Sequence, residues 1–68
     1  MQIKRYRLES GMSQSALAKK LDVDQTAVSQ WEKGDTKPRA DKLLLLADAL
    51  NVTVDELLGR SAEERKAQ

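Results

Sequence analysis

The chain contains no cysteine and no histidine, and only one proline, one tryptophan and one tyrosine. Without cysteine it can form no disulfide and no thiolate metal site, and the lack fits a reducing compartment. Without histidine it loses the commonest metal ligand and the commonest general base at neutral pH. No glycine-rich phosphate loop and no cluster of acids stands in for them, so nothing in the sequence proposes a catalytic site, a metal or a cofactor. The expectation is a protein that is not an enzyme. No apolar run approaches the ~20 residues of a membrane span. The first seven residues are basic, but no apolar stretch follows them as a secretion signal requires. A cytoplasmic location without a membrane contact is expected. No segment alternates apolar and polar residues over a useful length, so strands are not expected either.

Net charge is nearly absent as well. Twelve Lys and Arg against eleven Asp and Glu leave +1. The distribution is uneven: residues 1–39 carry eight cations and five anions, whereas residues 40–68 carry four cations and six anions. The front of the chain is the part suited to meeting phosphates, although a solvated charged surface needs no such partner. Sixty-eight residues make one domain, and a chain of this size buries only roughly 60% of its unfolded surface, so its core must be efficient.

What is present is punctuation between helices. A first helix is predicted over residues 2–10, followed by Gly11 in a left-handed cap. A second covers residues 14–21 with Ser13 as its N-cap. After a turn at Asp22 and Val23, Asp24 caps a third helix over residues 25–33, which ends at Gly34. A loop rich in turn formers and cations leads to a fourth helix over residues 40–50, with Asn51 as a left-handed cap. The fifth covers residues 54–58 and ends at Gly59. Thr53 and Glu56 can form a capping box at its start, satisfying backbone amides reciprocally. The fold class is therefore all-α, with a domain over residues 1–59. Residues 60–68 are charged, lack large apolar side chains and are expected to be a flexible tail, with Ser61 and Glu64 a further capping-box pair.

The core follows from helical spacing. Leu43, Leu46, Ala47 and Leu50 form one stripe of the fourth helix. Ile3 and Leu8 are expected to face inward from the first helix, and Val52, Leu57 and Leu58 to close the bottom. Four consecutive leucines cannot all face one core, so Leu44 or Leu45 is expected at the surface or in a subunit contact. Residues 14–33 are the most informative stretch. Small Ala18 sits where two helices would cross, and Leu17, Leu21, Val23, Val28 and Trp31 are spaced to bury both inner faces. Trp31 is expected in the core. The next helix opens on Gln25 and Thr26, amide and hydroxyl side chains at its front. A helix-turn-helix that reads DNA needs this layout.

These residues resemble the Cro/C1-type helix-turn-helix domain of phage and bacterial repressors, the xenobiotic-response-element-like family. The resemblance runs through Arg7, Gly11, Gln14, Leu17, Ala18, Leu21, Val23, Val28, Trp31, Glu32, Gly34, Pro38, the leucine-rich fourth helix and the ending from Leu50 to Leu58, and it covers about residues 2–58. It implies a compact five-helix, lambda-repressor-like fold and a regulator that binds double-stranded DNA as a homodimer on a palindromic operator. It implies base reading by Gln25, Thr26, Ser29 and Gln30. Phosphate contacts fall to Gln14, Lys33, Thr36, Lys37 and Arg39. Arg7 and Glu32 take the positions of a structural ion pair. The dimer contact is expected at Leu44, Leu45 and Leu58. A phage-encoded or host protein of a bacterial cell is implied. The chemistry agrees: a glutamine amide can bond bidentately to adenine, and cations and hydroxyls suit phosphate oxygens. By residue type alone each is also an ordinary solvated side chain. The chain departs from the family at Asp22, where a glycine is usual, at Arg39, where a serine or threonine cap is usual, and at Leu45, where a polar residue is usual. The alternative reading is an antitoxin-like interaction module that binds a protein partner through residues 60–68.

Overall fold

The structure is a computed structural model in which residues 1–59 are described. The expectations for residues 60–68, a flexible tail and a partner-binding segment, lie outside the described residues. Five helices follow one another: α1 (Ile3–Glu9), α2 (Gln14–Leu21), α3 (Gln25–Lys33), α4 (Ala40–Ala49) and α5 (Val54–Leu58). Among the described residues there is no strand, and no helix is long and apolar enough to cross a membrane. The fold is all-α, as the punctuation implies.

One device ends four of the helices. After α1, α2, α3 and α4 the chain turns through a left-handed residue: Gly11 (φ 72°), Asp22 (φ 56°), Gly34 (φ 83°) and Asn51 (φ 58°). The amide of the residue after each turn reaches back five positions: Met12 to Arg7, Val23 to Ala18, Asp35 to Gln30 and Val52 to Ala47, all at 2.9–3.1 Å. These bonds satisfy carbonyls that the helix leaves open. Asp22 and Asn51 take a conformation that a Cβ disfavours, and they are among the few non-glycine types that tolerate it. At the other ends, Ser13 Oγ accepts from the Ala16 amide at 3.0 Å. Thr53 and Glu56 form the expected capping box, with both bonds at 3.0 Å. Asp24 stands in the N-cap position of α3 with extended backbone, but its side chain makes no capping bond, so that expectation is corrected. Arg39 likewise precedes α4 without capping it.

The inner faces of the helices meet in one core. It contains Ile3, Leu17, Ala18, Leu21, Val28, Trp31, Leu46, Ala47, Leu50 and Leu57, with Val23, Leu43 and Val52 packed against it. Helix α2 packs against α3 and α4, α1 against α3, and α4 against α5. The Gln2 amide donates to the Leu57 carbonyl at 2.8 Å, tying the start of the chain to α5. Leu8 is 58% exposed, which overturns its inward assignment. The face of α1 that meets the core is set by Ile3 and Arg7, four residues apart. A helix turns about 100° per residue, so Leu8 lies well round from that line. Both Leu44 (65%) and Leu45 (48%) are exposed, while Leu58 is half-buried.

Candidate nucleic-acid interface

The spacing of α3 sorts its side chains by direction. Val28 and Trp31, three apart, are buried against α2 and the rest of the core. At about 100° per residue, Thr26, Ser29, Gln30 and Lys33 fall on the side away from them, and Gln25, three residues before Val28, lies at the border between the two faces. Gln25, Thr26, Gln30 and Lys33 are exposed and Ser29 is half-buried. Gln14, at the first position of α2, meets this face through the Gln25 amide. Gln14, Gln25, Thr26 and Ser29 together line one open polar concavity. Gln30 is outside that lining and flanks it on the Thr26 side.

The concavity is anchored by a buried ion pair. Arg7 Nε donates to Glu32 Oε2 at 2.7 Å, and Arg7 Nη2 to Glu32 Oε1 at 3.2 Å. Arg7 Nη1 also donates to the Met12 carbonyl at 2.8 Å. The two side chains are 9% and 5% exposed, so the pair is largely shielded from water. Gln14 Nε2 donates to Glu32 Oε1 at 3.0 Å. Burial pushes the Glu32 carboxyl up, but hydrogen bonds from Arg7 and Gln14, with the charges of Arg7 and Lys4, pull harder. The net is a carboxyl held below its ordinary value. Among the described residues no buried side-chain nitrogen or oxygen lacks a hydrogen-bond partner.

The chain of bonds continues outward. Gln25 Nε2 donates to Gln14 Oε1 at 3.4 Å, and Ser15 Oγ donates to Gln25 Oε1 at 2.9 Å. The expected base reader and the expected phosphate contact of α2 are thus joined. Sequence spacing carried no signal for Ser15, an exposed serine one position into a helix. It carried none for Lys42 either, whose Nζ donates to the Leu21 carbonyl at 2.9 Å and ties α4 to the end of α2. The remaining predicted contacts lie at the last residue of α3 and in the segment after it. Lys33, Thr36, Lys37 and Arg39 are exposed, and none bonds to another described side chain. Pro38 among them is buried, which pins the segment to the body while its cations reach into solvent. The surface is therefore an array of amides and hydroxyls beside unpaired cations, suited to base edges and phosphate oxygens respectively.

Residues 3–57 match the model of a helix-turn-helix family. The chain belongs to the helix-turn-helix family of Cro/C1 type. It is 39% identical to repressor protein C2 of Salmonella phage P22 over 56 residues, 82% of this chain and 26% of that protein. It is 37% identical to the transcriptional activator BcrR of Enterococcus faecalis over 62 residues, 91% of this chain and 29% of that protein. It is 30% identical to the cryptic phage CTXphi transcriptional repressor RstR of Vibrio cholerae over 56 residues, 82% of this chain and 50% of that protein. The chain thus spans half or less of the length of these relatives. No solved structure is a significant match.

Proposed function

We propose that this chain is a sequence-specific double-stranded DNA-binding regulator of transcription, acting as a repressor. Helix α3 enters the major groove, with Gln25, Thr26, Ser29 and Gln30 toward base edges. Gln14 and the segment carrying Lys33, Thr36, Lys37 and Arg39 hold the phosphate backbone. The observation that carries this reading is the convergence of Gln14, Gln25, Thr26 and Ser29 on one open polar concavity, with unpaired cations beside it. Names of similar proteins add to it: two are repressors and one an activator. The setting on this reading is the cytoplasm of a bacterium, with the protein encoded by the host or by a phage.

The active species is a homodimer on a palindromic operator, with half-sites about one helical turn (~34–36 Å) apart. Leu44 and Leu45, adjacent and exposed on α4, with half-buried Leu58, form the contact. Selection of bound DNA from a random duplex library at two salt concentrations tests the whole reading. An inverted repeat should be enriched. Weak, salt-labile binding with no enriched motif would remove it in favour of a module that needs a protein partner.

A further inference from the structure

The network under the concavity has a direction. Arg7 has only donors, and an ionised carboxylate only accepts, so Glu32 takes its hydrogen bonds from Arg7 and from Gln14. Gln14 must then turn its Nε2 inward to Glu32 and its Oε1 outward. That oxygen can only accept, so Gln25 presents Nε2 to it, at 3.4 Å. The Gln25 oxygen is left at the other corner of the amide, where Ser15 Oγ donates at 2.9 Å. A buried charge pair thereby sets the polarity of an exposed amide through two intervening bonds. The Gln14 contact is the longer of the two grips on Gln25. One hydrogen bond leaves an amide free to swing about it, whereas two at different corners hold its plane.

We infer that Ser15 is a positioning residue for base recognition: its hydroxyl holds the Gln25 amide in one flip and one plane. The inference rests on the proposal that Gln25 reads a base. Adenine presents its N6 donor and N7 acceptor in one fixed order. An amide held in the matching order bonds to both, and the reversed order opposes donor to donor and acceptor to acceptor. An amide free to flip bonds singly to several bases. Loss of the Ser15 hydroxyl therefore removes discrimination at one base pair and leaves the phosphate contacts untouched. Ser15 lies in the first turn of α2, exposed, where alanine favours the helix, so the hydroxyl can be removed without disturbing the core.

The test compares Ser15→Ala, Ser15→Thr, Ser15→Val, Gln25→Ala and the Ser15→Ala/Gln25→Ala pair. Each is titrated against the selected site, against every single-base variant of it, and against unrelated duplex at two salt concentrations. Ser15→Ala and Ser15→Val should lose about threefold to tenfold in discrimination at the base pair that Gln25→Ala affects, the worth of one hydrogen bond. Affinity for unrelated duplex and its salt dependence should not change. Ser15→Thr, which keeps the hydroxyl in the shape of valine, should retain discrimination. The double variant should be no worse than Gln25→Ala. An equal loss on every sequence with a shallower salt slope would make Ser15 a phosphate contact and overturn the inference. So would full discrimination in Ser15→Ala at a base pair where Gln25→Ala has lost it. If no base pair responds to Gln25→Ala, the base-reading role of Gln25 fails and the inference falls with it.

Discussion

At the scale of single residues, the Arg7–Glu32 pair shows why a buried charge is retained. Removing one partner leaves the other charged and desolvated, which costs about 3–5 kcal/mol, whereas exchanging both for apolar residues is close to neutral. Glu32→Gln should therefore cost more stability than the Arg7→Met/Glu32→Met pair, in thermal or urea melts followed by the emission of buried Trp31. The acid limb follows from the same contacts. The folded carboxyl lies below its ordinary value, so the contribution is full above pH 4.5 and fades as pH falls below it through the lowered value. Loss of stability between neutral and acid pH should be shallower in the Met/Met variant than in the parent. Gln25→Ala belongs to this scale too. Affinity for the selected site should fall by ~1–3 kcal/mol, with relaxed preference at one base pair. An equal loss at every sequence would remove Gln25 from the base-reading set.

At the scale of elements, the turn between α2 and α3 decides how α3, the reading helix of the proposed function, is presented. It is closed by the Val23 amide on the Ala18 carbonyl, with Asp22 left-handed and Lys42 on the Leu21 carbonyl. Glycine at position 22 would relieve the Cβ cost of that conformation, at some cost in unfolded-state entropy. Asp22→Gly should raise stability by about 0.5–1 kcal/mol, read as a higher melting temperature. The segment after α3 is the second functional element. Buried Pro38 holds it, and on the proposed function its exposed cations meet phosphates without reading sequence. Lys37→Ala should weaken all duplexes alike and make the slope of log affinity against log salt shallower by about one unit.

At the scale of the whole molecule, one small core supports two surfaces on different helices. The polar concavity belongs to α2 and α3, and the exposed leucine pair to α4. Leu44 and Leu45 are adjacent and exposed, the apolar surface that the proposed function assigns to the dimer contact. Leu45→Glu should leave the fold intact by circular dichroism yet shift the monomer–dimer equilibrium toward monomer in sedimentation. An unchanged equilibrium would remove this face from the dimer contact.

The local rules were legible in the linear chain. Left-handed caps at Gly11, Gly34 and Asn51, the capping box of Thr53 and Glu56, and the inward stripe of Leu46, Ala47 and Leu50 depend on residues within about one or two turns of one another. The resemblance placed Arg7 opposite Glu32, and the buried pair stands there. Leu8 misled because apolar character was weighed above direction: the line from Ile3 runs to Arg7, a charged residue that the core accepts only because Glu32 and the Met12 carbonyl answer it. What only the tertiary structure decided are the contacts between helices. Lys42 reaches a carbonyl 21 positions away, Gln14 reaches Glu32 across 18, and Ser15 reaches Gln25 across 10. Periodicity states which face a side chain occupies, but not what a neighbouring helix sets opposite it. That depends on how the buried faces dock, and docking turned separate polar residues into one directed network under the polar concavity.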